Sequence, residues 1–330
     1  MGGNGLAYAK PPGGLLPVML DIILDSLVPI FFGMGLGYVA GWTRDLDNKH
    51  VGELNALVMD FALPAAIFGA VAQQSRGALL AQIPLAVNLS ISMLLLYVVT
   101  YFMARRAFHA SPPEASAQAL TTSSPNFGAA GLPLVGALFG AHYLVAVAVA
   151  LAVTGLVLSP LTLIILERHA GAGHKRGIAS SLLSAYRKPI VLTPLVAVLF
   201  VLSGIGLPEP LTKSFSLMGQ VAGGTALFLT GLILSAQKIR LGKSVAIQTL
   251  LANIVHPLLA AGLAWLFAVS PLTAREAIVL SALPAGFFGI LFGLRFGIAS
   301  EVTGTTLVAS TILSAVTLSA AIYLTDGMGP

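Results

Sequence analysis

The 330-residue chain contains no cysteine, only two tryptophans, and few charges, with 17 Lys and Arg against 12 Asp and Glu. Without cysteine there is no disulfide, no thiolate metal site and no cysteine nucleophile. Charged residues make up 9% of the chain, where a soluble domain carries about 25%. That is too little polar surface to cover a water-soluble globule. Enzyme signatures are missing as well: there is no GxxxxGK[ST], no HExxH and no metal-spaced His/Asp/Glu cluster. No segment is long and polar enough for a nucleotide domain, which argues against an ATP-driven pump. The sequence therefore reads as a non-enzyme without cofactor or metal.

What is present is apolar. Hydrophobic residues account for 57% of the chain, and 35 glycines and 19 prolines fall mostly inside apolar runs. Such helices pack closely and break locally. A crossing helix needs about 20 apolar residues. On that template ten spans are predicted, near 17–41, 50–72, 82–104, 115–140, 142–166, 188–206, 213–236, 244–268, 274–297 and 301–324. The expected fold is an all-α membrane protein. Residues 1–16 read as a flexible lead-in without a cleavable signal, 17–166 as a first five-helix repeat, 167–187 as a basic cytoplasmic linker, 188–324 as a second repeat and 325–330 as a tail.

The basic residues do not form one patch, so nucleic acid is not an expected partner. Thirteen of the 17 lie in loops after odd-numbered spans and four on the opposite side. The positive-inside rule then puts both termini outside, in the periplasm of a bacterial inner membrane.

Two of the spans carry interruptions. The segments 125-PNFGAAGLPLVGALFG-140 and 281-SALPAGFFGILFG-293 put proline and clustered glycine into apolar runs. Proline removes a backbone donor and glycine weakens a helix, so unwinding is predicted near the middle of spans four and nine. Aligning Leu132-Pro133 with Leu283-Pro284 brings an LFG triplet after each proline, and 158-LSPLTL-163 matches 313-LSAVTL-318 at four of six positions. Five helices per copy is an odd number, so the second copy enters from the opposite side: an inverted repeat.

Broken helices at bilayer depth point to a substrate site. Half-helix N-termini carry partial positive charge and unused N–H groups, which suit a carboxylate. Asn126 and Gly128 precede the first predicted break, Gly131 and Pro133 lie in it, and Pro284, Gly286 and Gly289 mark the second. The alternative reading is that these prolines merely kink two ordinary helices. Asn55 on span two and Gln220 on span seven are further candidates to line the cavity, with Thr154 and Thr225 behind them. Asp60 and His256 are the titratable groups read as deep in the spans, and either could couple transport to protons or simply hydrogen-bond across helices. Arg295 and Glu301 flank the last cytoplasmic loop and read as a surface ion pair or lipid contact. His142, Tyr143, Trp42 and Trp265 read as boundary residues near the membrane surface.

These features resemble the auxin efflux carrier family, within the bile acid/auxin/arsenite transporter-like superfamily. The resemblance rests on NALVMDFALPAAIF at 55–68, NFGAAGLPL at 126–134, the Lys188-Pro189 start of span six, Pro284 with its glycines, and FGIASEVTGTTLVASTILS at 296–314. It covers nearly all of the chain after about residue 17. It implies ten helices in two inverted five-helix repeats, with a scaffold domain and a transport domain moving as an elevator. Spans four and nine would cross at Pro133 and Pro284 beside the substrate. It also implies organic anions: plant members export indole-3-acetate, and bacterial relatives are often assigned to malonate or malate. The chain departs from plant members where span five opens with Ala141-His142-Tyr143, so auxin itself does not carry over, and the long plant cytoplasmic loop is missing, so kinase regulation does not carry over either. The expected function is a secondary carrier for a small mono- or dicarboxylate, or an auxin-like aromatic acid. A sodium-coupled bile-acid-type carrier and a non-transporting membrane sensor are the alternatives, with proton or sodium coupling open. Membrane lipid, and a second copy bound through the scaffold domain, are the other expected partners.

Overall fold

The computed structural model describes residues 15–46, 51–140, 143–169, 183, 187–236, 239, 241–298 and 300–328. The first 14 residues of the lead-in, most of the 167–187 linker, His142 and the last two residues of the tail lie outside them. The described residues are mostly helical, and the one β-type pairing among them is a single bridge between Pro125 and Ala285.

Among the described residues, six helices are long and apolar enough to cross a membrane unaided. They are α2 (Val51–Ala72), α4 (Ile83–Arg106), α7 (Leu144–His169), α9 (Glu209–Ser235), α10 (Lys243–Leu266) and α13 (Glu301–Thr325). Predicted spans one and six correspond to α1 (Leu15–Thr43) and the shorter α8 (Pro189–Ser203). Predicted spans four and nine are not continuous. Span four is α5 (Pro112–Ser123) followed by α6 (Leu132–Leu138), and span nine is α11 (Pro271–Ser281) followed by α12 (Phe288–Arg295). Neither half is long enough to cross alone. A one-turn helix, α3 (Arg76–Ala81), caps the turn between α2 and α4.

Proline chemistry explains the irregular turns. The chain widens into a π-helical turn at Leu57–Ala62, Phe127–Gly131, Thr154–Leu158 and Leu251–Val255. Each turn ends two residues before a proline: Pro64, Pro133, Pro160 and Pro257. Proline lacks an N–H and crowds the carbonyl four residues back, and a wider turn relieves both within a helix that continues.

The helices pack as two sets, each drawn from both halves of the chain. In one, α1 lies along α9, and α2 packs against α8 and α9. The α1–α9 contact is close enough that a Cβ at Gly37 would collide with the Phe228 carbonyl, and one at Gly231 with that of Met34. Small residues permit this backbone approach, which replaces the missing hydrophobic drive between helices in lipid. In the other set, α5 packs against α4, α7 and α12, while α10 packs against α4, α11 and α13. The two sets meet where α8 touches the π-turn of α7, where α2 touches α7 and α12, and where α1 touches α6 and α13.

Candidate functional site

The two chain breaks meet each other. After α5 the backbone turns extended at Ser124, with φ −111° and ψ 96°, and Pro125 pairs antiparallel with Ala285. Asn126 N–H donates to the Pro284 carbonyl at 2.9 Å, and Gly286 N–H donates to the Thr121 carbonyl at 3.1 Å. One donor at the bridge is met by a side chain: Ala285 N–H donates to Ser310 Oγ at 2.8 Å. Ser310 in turn donates to Asn253 Oδ1 at 2.6 Å, and Asn253 Nδ2 donates back to the Ser310 carbonyl at 2.9 Å. Broken backbone inside an apolar protein is tolerated only when its polar groups are satisfied in this way. Ser124, Asn126, Ala285, Asn253 and Ser310 are all buried.

Glycine makes the crossing close enough. A Cβ at Gly286 would collide with the Ser124 carbonyl, and one at Gly289 with the Ala117 carbonyl, so α12 lies directly against the backbone of α5. Gly131 packs on Leu283 of the opposite break, whereas a Cβ at Gly128 would meet open space. Helical structure restarts at Phe127 after the first break and at Phe288 after the second. Two helix N-termini therefore converge on the bridge. The Asn126 carbonyl accepts from Ala130 and Gly131, both at 3.1 Å, so Asn126 opens the first of them.

The structure corrects the position of the first break. It falls at Pro125, not at Gly131–Pro133. Pro133 lies eight residues on, in the first turn of α6, and the π-turn before it absorbs its missing donor. The proline that meets the Pro284 break is Pro125, in 123-SSPNFG-128, rather than Pro133. Pro284, Gly286 and Asn126 are at the bridge, Gly128 is three residues beyond Pro125, and Gly131 packs on Leu283 beside Pro284.

Other candidates disperse. Asn55 reaches α12, where its Nδ2 donates to the Leu291 carbonyl at 2.9 Å. Gln220 lies elsewhere, against a cavity of about 340 Å³ that it shares with Gln73, Gln74 and Phe215 between α2 and α9. Asp60 is not alone in its helix: Arg295 Nη1 donates to its Oδ1 at 2.5 Å. Arg295 thus pairs with Asp60 of α2 rather than with its loop neighbour. Beside Asp60 a cavity of about 400 Å³ runs between α2, α8 and α9, lined by Phe61, Phe68, Thr193 and Phe215. His256 is fully buried, and neither ring nitrogen has a partner among the described residues. Thr154 donates to the Ala150 carbonyl at 3.0 Å and lies 3.4 Å from Ser124 Oγ beside the bridge.

Sequence reasoning missed Ser310, Asn253 and Glu276. The first two had a legible signal, since Thr303, Thr306, Ser310, Ser314 and Thr317 recur every three or four residues and form one polar stripe along α13. Glu276 is 2% exposed in α11, so Asp60 and His256 are not the only interior ionisable groups.

A family model described as "Membrane transport protein" matches residues 22–322. The chain is similar to "Uncharacterized transporter YfdV" of Escherichia coli (strain K12), 29% identical over 300 residues, covering 89% of this chain and 95% of that protein. It is also similar to "Putative malonate transporter" of Rhizobium meliloti (strain 1021), 25% identical over 311 residues, covering 91% and 95% respectively.

Proposed function

This chain belongs to the membrane transport protein family, and we propose that it is a secondary active carrier of a small organic anion whose carboxylate binds at the Pro125–Ala285 bridge. It is a transport protein and not an enzyme. The observation that carries the reading is the convergence of two helix N-termini, at Phe127 and Phe288, on one pair of breaks. Their first-turn N–H groups and partial positive charge favour an anion without any buried arginine. Asn126 adds a side-chain amide that can donate to a carboxylate. The open space beside Gly128 leaves room for a ligand next to that amide.

In this reading the α5–α6 and α11–α12 runs are crossing halves of broken spans. With the eight other long helices they make ten spans, arranged as inverted repeats over 17–166 and 188–324. The set built on α1, α2, α8 and α9 is the scaffold. The set carrying the bridge is the transport domain, and it moves past the scaffold as an elevator. The charge bias supports an inner-membrane protein with both termini in the periplasm. Short dicarboxylates are the first substrates to test, since a relative carries malonate in its name. The test is counterflow in proteoliposomes: malonate trapped inside should drive accumulation of labelled malonate, and other mono- and dicarboxylates should compete. No counterflow with any carboxylate, from protein that remains folded, would refute the reading. Imposed sodium and pH gradients in the same vesicles separate a sodium-coupled carrier from a proton-coupled one.

A further inference from the structure

Away from the bridge, unsatisfied polar atoms concentrate between three helices that all touch one another, α4, α10 and α11. Glu276 of α11 lies beside Gln82, the residue that caps α4. Yet Glu276 Oε1 and Gln82 Oε1 both lack a partner among the described residues. Asn88 of α4 donates to the Ala260 carbonyl of α10 at 3.0 Å, and its Oδ1 is left over. His256 lies one helical turn before Ala260 on the same face, with both nitrogens orphaned. Ser281, also fully buried and unpartnered, ends α11. The helices of His256–Leu266 and Pro271–Ser281 form a contacting hairpin, and within the second of them Glu276 and Ser281 lie about 7–8 Å apart along the axis.

Orphaned buried donors and acceptors at this density are costly unless water completes them. We propose that Gln82, Asn88, His256, Glu276 and Ser281 line a hydrated proton path, with Glu276 and His256 as its two exchanging groups. The Glu276 O–H bond breaks, the proton passes through water to a His256 nitrogen, and carboxylate and imidazolium remain until the imidazolium N–H gives its proton to water of the same path. The path ends one turn from Asn253, which holds Ser310 and through it the Ala285 N–H of the bridge. Protonation of His256 is thereby placed next to the anion site, and the link to transport rests on the carrier reading above.

Arg76 opens the short α3 six residues before Gln82, and Glu114, in the first turn of α5, accepts from Gln118 and Ser300; the charged groups that follow are paired or distant. Arg275 pairs with Asp326 at 3.3 Å and lies over the Phe139 ring. Tyr97 is bonded to Ser116 and Thr162. Arg105 and Arg106 lie at the opposite end of α4 from Gln82, Lys243 opens α10 about 20 Å from His256, and Glu301, Glu167, Arg168 and His169 lie at the far ends of α13 and α7.

The deciding experiment needs no substrate. Nitrogen-15 NMR of the histidines in detergent-solubilised full-length protein, with His256→Gln assigning the signal, follows the imidazole through a pH series. A hydrated path predicts that His256 titrates between about pH 5 and 8. Glu276→Gln should lower its midpoint by on the order of one pH unit, because the carboxylate that favours imidazolium is gone. Glu276→Asp, which keeps the charge, should largely restore it. A His256 that stays neutral down to about pH 5, or titrates identically in wild type and Glu276→Gln, overturns the proposal. Malonate counterflow on the same preparations reports the carrier reading separately, so either idea can fail without the other.

Discussion

At the scale of single residues, the bridge depends on a few satisfied donors and two absent side chains. Ser310→Ala should leave the Ala285 N–H buried without a partner and cost about 1–3 kcal/mol, read as a lowered midpoint in thermal or denaturant unfolding. Ser314→Ala, one turn along the same stripe, removes only a hydroxyl that donates to its own helix at Thr311 and should change stability much less. Equal losses in both would mean that Ser310 does not support the break. Residue identity is the part of the site least legible in the sequence. Asn126, Pro284 and Gly286 can be read directly, because an amide, a proline and a glycine each weaken an apolar helix and together mark where it is interrupted. Pro125 does not stand out, because the Leu-Pro dipeptides at 132–133 and 283–284 look alike, and dipeptide likeness carries no information about which proline a helix can absorb. Asn253 and Ser310 are hidden for a different reason: a serine in a membrane helix usually bonds its own backbone, and only the fold brings this one to Ala285.

At the scale of elements, the same residue type has two outcomes. Pro64, Pro133, Pro160 and Pro257 each follow a π-turn within a helix that continues, while Pro125 and Pro284 sit in extended backbone where helices end. The distinction lies in what surrounds the proline. Around Pro125 and Pro284 the opposite break and Ser310 meet the freed backbone groups, so unwinding costs little there. Pro125→Ala should therefore weaken anion binding about tenfold or more by disturbing the bridge, whereas Pro133→Ala should leave affinity nearly unchanged. Equilibrium binding of labelled malonate to both variants checks this, and a larger loss at Pro133 would return the break to its sequence-predicted position. Helix existence is legible throughout, since runs of about 20 apolar residues leave few alternatives. The two broken spans are legible as broken but not in where they break.

At the scale of the whole molecule, two helix sets meet, and Asp60 of α2 is tied to Arg295 at the end of α12 across that boundary. If the sets slide past one another during transport, this charge-assisted hydrogen bond has to open, and its loss should favour states in which they have moved. Asp60→Asn and Arg295→Gln should each change malonate exchange by up to roughly tenfold, and the double variant should differ little from either single one. Additive effects would mean that the two side chains act independently. The division into sets is not visible in the linear sequence, because each set interleaves helices from both halves of the chain.

Anion binding at the bridge is tested by equilibrium binding of labelled malonate to purified wild type, Asn126→Ala and Gln220→Ala. Asn126 opens the helix that follows the first break, while Gln220 faces a separate cavity between α2 and α9. Loss of one donor to a carboxylate predicts about 10- to 100-fold weaker binding for Asn126→Ala. Gln220→Ala should bind like wild type. Full affinity in Asn126→Ala together with a loss in Gln220→Ala would contradict the account and move the anion to the other cavity.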